Sequence, residues 1–78
     1  MNENNPIISI EELNHQFAKE QAFQARYDFH ISKKYEAMAG FYDGWSSSAD
    51  ARNHHALSAS LIYQDALTAG FKLKTEGE

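Results

Sequence analysis

Four histidines, His15, His30, His54 and His55, are the residues best suited to chemistry in this chain. Asp50 and His54 are four residues apart, so on a helix both would face the same side and could share a metal ion. Helical di-metal centres need more than one such pair. They use glutamates together with a Glu-x-x-His spacing repeated on paired helices, and that spacing does not occur here. Without cysteine, thiolate metal sites and disulfides are excluded. His54 therefore reads as a solvated residue, and His55, set among alanines, as a hydrogen-bonded packing residue. No metal and no cofactor is expected.

Nucleophilic and acid–base chemistry find little support. No serine lies in a Gly-x-Ser-x-Gly turn, and no glycine-rich loop could cradle a phosphate. Glu20, Asp28 and Asp65 interrupt apolar faces and could form a carboxylate pair, but Arg26 and Lys34 stand near enough to neutralise them. The expectation is a non-enzymatic protein.

A second group carries more promise. Phe17, Phe23, Tyr27, Phe29, Tyr35, Phe41, Tyr42 and Trp45 all fall in one stretch. Aromatics supply much of the energy at protein interfaces. Phe17 and Phe41, with Ile31, read as core. Tyr42, Asp43 and Trp45 fall where the chain turns, with Arg52 and His54 close beyond, and these five form the candidate contact site.

The elements that would position these groups are helical. Ser9-Ile10-Glu11-Glu12 has the spacing of a capping box, its acids at the positive end of a helix dipole. Residues 10–39 contain no glycine or proline and many good helix formers. At ~100° per residue, Ile10, Leu13, Phe17, Phe23, Tyr27, Ile31, Tyr35, Met38, Phe41, Tyr42 and Trp45 gather on one face. Glu20, Gln24, Asp28 and Lys34 make that face ragged towards its middle. Gly40-x-x-x-Gly44 matches a close-packing motif of membrane helices, but in a polar setting it reads as helix termination. Ser47-Ser48-Ala49-Asp50 repeats the capping logic and starts a second helix, expected over residues 49–69 and stopped by Gly70.

The second helix has two apolar faces. One is small: Ala51, Ala59, Ile62, Tyr63, Ala66, Ala69 and Leu73. The other holds Ala49, Leu57, Leu61, Leu67 and Phe71. The small face suits close approach to the bulky stripe of the first helix, which also carries a minor stripe of Ala18, Ala22, Ala25 and Phe29. Two helices cannot bury four faces between them, and exposed apolar patches mark interfaces. The predicted fold is all-α: an antiparallel helical hairpin of two long helices completing a bundle by homo-oligomerisation, a dimer in the simplest case. Leu57, Leu61, Leu67, Phe71, Ala18, Ala22, Ala25 and Phe29 form its expected subunit interface. A first helix broken near its middle would give a three-helix monomer instead.

Composition agrees with one domain spanning residues 1–78, with 1–8 and 72–78 as flexible ends. Hydrophobic residues are 42% of 78, too many for a disordered chain. A chain this short draws only ~3–5 kcal/mol from one core, so a partner subunit is the natural supplement. The net charge of −4 comes from 11 acids and 7 bases with no basic patch, against nucleic-acid binding. No signal peptide, lipidation signal or membrane-length apolar segment is visible, and the cytoplasm is the expected compartment.

These features favour a small regulatory or inhibitory protein that binds a host or cellular protein, in the general character of phage and mobile-element accessory proteins. The alternative is an oligomer enclosing a small anionic ligand such as a nucleotide at its subunit interface. There, tyrosines would stack on a base and Arg26, Lys33, Lys34 or Arg52 would meet phosphates.

Overall fold

The computed structural model describes residues 9–76, which form two helices packed against each other and, among the described residues, no strand. Helix α1 spans Ile10–Met38 and α2 spans Ser48–Thr68. The serine half of the capping logic holds at both starts. Ser9 accepts from the Glu12 amide at 3.0 Å, and Ser47 accepts from the Asp50 amide at 3.1 Å. α1 is unbroken through residues 20–30, so the three-helix alternative does not arise.

Both helices end in the same way, at Ala39-Gly40-Phe41 and Ala69-Gly70-Phe71. Gly40 and Gly70 have φ of 103° and 95°, a left-handed conformation that an L side chain resists. The Phe41 amide then reaches back to the Glu36 carbonyl, and the Phe71 amide to the Ala66 carbonyl, each at 2.8 Å. α1 therefore stops before Phe41, Tyr42 and Trp45, which do not continue its apolar face as the wheel suggested. A shared terminator leaves its two phenylalanines in opposite environments. Phe71 is half-buried against Phe23, with ring centroids 5.9 Å apart, whereas Phe41 is exposed in the connecting loop.

Contacts between the helices pair in reverse sequence order. Ala37 meets Ser48, His30 meets His55, and Tyr27 meets Tyr63. The helices are thus antiparallel, and the small face of α2 is the one that α1 covers. Ala51, Ala59 and Ala66 are buried, as are Tyr27 and Ala37. Phe23, Ile31, Ile62 and Tyr63 pack around Tyr27, Ala59 and Ala66. Alanine permits the backbones to approach, but it leaves little apolar volume to bury.

The chain after α2 supplies the missing volume. Residues 72–76 do not form the loose end expected of so polar a stretch. Leu73, only 1% exposed, is the largest fully buried side chain and packs with Tyr27, Ala59 and Ala66. Gln24, one of the residues that break the α1 stripe, holds this tail in both directions. Its Nε2 donates to the Lys74 carbonyl at 3.0 Å, and its Oε1 accepts from the Lys74 amide at 2.9 Å. Lys34, another such residue, donates to both carboxylate oxygens of Glu76 at 2.8 and 3.0 Å. That contact raises the Lys34 pKa and lowers that of Glu76. The polar interruptions are what bind the tail. The expected flexible end at residues 1–8 lies outside the described residues.

Leu73→Ala should cost about 2–5 kcal/mol, as for other buried leucines. That is comparable with the whole stability expected of a chain this size. Far-UV circular dichroism during urea unfolding will report the fall in midpoint, and an unchanged midpoint would contradict this account of the core.

Candidate functional site

The loop between the helices, residues 39–47, is built on a fixed frame. Ser48, at the first turn of α2, donates its hydroxyl to the Ala37 carbonyl at 2.6 Å, tying the start of one helix to the end of the other. The Trp45 amide donates to the Tyr42 carbonyl at 3.0 Å, closing a turn through Asp43-Gly44. Trp45 then lies over the first turns of α2, its ring centroid 4.6 Å from that of His54 and 5.8 Å from that of His55.

Beneath Trp45 the histidines meet. His30 Nδ1 of α1 lies 2.9 Å from His55 Nδ1 of α2, so one ring must donate and the other accept, which requires at least one neutral imidazole. His54 lies edge-on to both, and Phe29 packs its ring edge-to-face on His30. Burial lowers the pKa of His30, and the charge of His54 lowers it further. Burial is also the main cause of the lowering at His55, followed by the charges of His30, His54 and Lys33, while Glu36 acts in the opposite direction. Asp50 and His54 do not gather further ligands. No group of three or more His, Asp or Glu is placed to hold a metal among the described residues.

Next to this cluster is a cleft of about 300 Å³ lined by Lys33, Glu36, Phe41, Tyr42, Asp43, Trp45, Ala51 and His55. Of the five residues expected at the contact site, Tyr42, Asp43 and Trp45 line the cleft. His54 adjoins it by stacking on Trp45. Arg52 is exposed and does not line it, its guanidinium lying 3.4 Å from Asn53 Oδ1. His30 and Phe41 were not assigned to the site from sequence. His30 is 25 residues from His55, and only the antiparallel pairing brings them together. Phe41 reads as core only if the helical wheel is carried past Gly40.

Most of the expected subunit-interface residues are exposed in the single chain. Leu57, Leu61 and Leu67 are exposed, as are Ala18, Ala22 and Ala25. Phe29 is exposed but touches His30, and Phe71 is engaged with Phe23 inside the chain. No helix is long and apolar enough to cross a membrane among the described residues. The chain matches no family model, no curated protein and no solved structure.

The paired histidines make stability pH-dependent with a definite sign. A histidine whose pKa falls on folding binds its proton more weakly in the native state, so stability is full above pH ~7 and declines as pH drops through ~6.5. The loss levels off once the native-state values are passed. Urea midpoints measured between about pH 7.5 and 5 should fall in the wild type and flatten in His30→Gln/His55→Gln. An equal slope in that double variant would refute the assignment.

Proposed function

We propose that this chain is a non-enzymatic regulatory or inhibitory protein of the cytoplasm. It associates with itself, and it acts by binding a host or cellular protein through the end where its two helices are joined. The observation that carries this reading is the cleft at that end. Its aromatic residues Phe41, Tyr42 and Trp45 are all exposed, yet they sit on a loop held by hydrogen bonds from Ser48 and Trp45. A rigid aromatic surface loses little conformational entropy on binding. Around it stand Lys33, Glu36 and Asp43, the polar rim that surrounds an interface centre. Such a cleft suits an apolar or aromatic side chain offered by a folded partner.

The alternative, a small anionic ligand, draws less support. Lys33 contacts Glu36 at 3.3 Å and Lys34 is held by Glu76. The bases nearest the aromatic residues are thus already matched by carboxylates, and the cleft brings Asp43 and Glu36 together with a single lysine.

Trp45→Ala should weaken partner binding by roughly 30-fold or more, the scale of an interface hot spot. Helicity should remain close to wild type because Trp45 lies outside both helices. Quantitative affinity capture from the native host, comparing wild type with Trp45→Ala and an exposed control such as Gln64→Ala, will measure this. Equal recovery of every host protein by wild type and a folded Trp45→Ala variant would sink the proposed contact site.

A further inference from the structure

A purely apolar side chain docked at the loop end would satisfy only part of the cleft. It would cover Phe41, Tyr42 and Trp45, which are 72%, 37% and 39% exposed, and would draw Asp43 and Glu36 out of water with them. A carboxylate that loses its hydration needs a charged or hydrogen-bonding partner in return. Glu36 has one within the chain, since the Lys33 ammonium lies 3.3 Å away. Asp43 belongs to no ion pair among the described residues.

The cleft thus carries one carboxylate more than it can match. Among the described residues Lys33 is the only lysine or arginine that lines it. The Lys33 ammonium is engaged by Glu36 and by the ring of Phe29, 5.6 Å away, and Phe29 does not line the cleft. Residues 1–8 and 77–78 contain neither lysine nor arginine, so neither stretch offers the missing cation.

Aromatic rings beside an unmatched carboxylate are the elements of a cation site. The faces of Trp, Tyr and Phe attract a cation through their quadrupoles, and the carboxylate adds a charge-assisted hydrogen bond. Arginine meets both needs better than lysine. Its guanidinium is planar and weakly hydrated, stacks on rings, and presents a fork of N–H donors to a carboxylate. Its methylene stem supplies the apolar contact that the three aromatic residues also invite. A volume of about 300 Å³ stands at the small end of ligand pockets and suits one long side chain. The net charge of −4 favours the approach of a basic surface.

We propose that this cleft receives an arginine side chain of the partner protein, its guanidinium against the aromatic rings and paired with Asp43. The inference rests on the contact site in the reading above and names the group that the partner presents there.

Three capped peptides, with arginine, its neutral isostere citrulline or leucine between glycines, test this on the full chain. Trp45 is the sole tryptophan, so its fluorescence reports occupancy of the cleft. The arginine peptide should saturate the signal and bind roughly ten-fold tighter than the citrulline peptide, the scale of a charge-assisted contact. Asp43→Asn, with helicity unchanged by circular dichroism, should remove most of that preference. Equal affinity for arginine and citrulline, or a tighter leucine peptide, would overturn the assignment. Affinity capture from the native host separates this inference from the contact site beneath it. The partner should be lost with both Trp45→Ala and Asp43→Lys. One lost with Trp45→Ala but retained with Asp43→Lys would overturn the arginine and leave the contact site standing. One retained by both would overturn the two together. A wild-type dimer in sedimentation equilibrium that Asp43→Lys reduces to the single-chain mass would give the cleft to a second copy and overturn the partner's arginine.

Discussion

Burial of Leu73 is the contact on which the rest of this structure depends. Two helices facing each other along one seam enclose little, and here the seam is lined on one side by Ala51, Ala59 and Ala66. Small side chains bring the backbones close but remove little apolar area from water. A leucine laid over that seam from outside gives it a third wall. The placement requires the tail to turn back at Gly70, which Ala69-Gly70-Phe71 achieves. It also requires the tail's backbone amide and carbonyl to find partners, because polar groups taken from water without hydrogen bonds are costly. Gln24 provides both partners at Lys74, and Lys34 anchors Glu76.

That dependence explains what was readable in the sequence and what was not. Both helices, their serine caps and the alanine face follow from local rules: capping spacing, helix propensity and the period of apolar residues. The end of α1 is also a local matter, yet the apolar period ran on through Phe41, Tyr42 and Trp45 while Gly40 had already stopped the helix. Period alone does not register a left-handed residue. The tail is illegible in the sequence for a different reason. Lys72, Lys74 and Glu76 look solvated, and one leucine among them carries no periodic signal. Its burial is decided by Gln24 and Lys34, some forty to fifty residues earlier. In a wheel those two residues count only as defects of a stripe.

The candidate site has the same mixed legibility. Tyr42, Asp43, Trp45 and His54 follow from placing aromatics at a turn, whereas His55 reads from sequence only as a hydrogen-bonded packing residue. The His30–His55 contact does not follow from either helix alone. It needs the register between them, fixed by Ser48 on Ala37 at one end and by Phe23 on Phe71 at the other. Once that register is set, two imidazoles are brought within 2.9 Å under Trp45, and burial rather than a partner charge dominates their titration.

The loop-end cleft and the exposed apolar start of α1 lie at opposite ends of that helix, and this separation follows from the lengths of the elements. α1 has 29 residues and α2 has 21, so an antiparallel pair flush at the loop must carry the start of α1 past the end of α2. At the loop end, the chain is held by hydrogen bonds and Trp45 stacks on His54. At the other end, Ile10, Leu13 and Phe17 are exposed on the helix surface. A rigid pocket suits recognition of a separate folded surface, because its shape exists before the partner arrives.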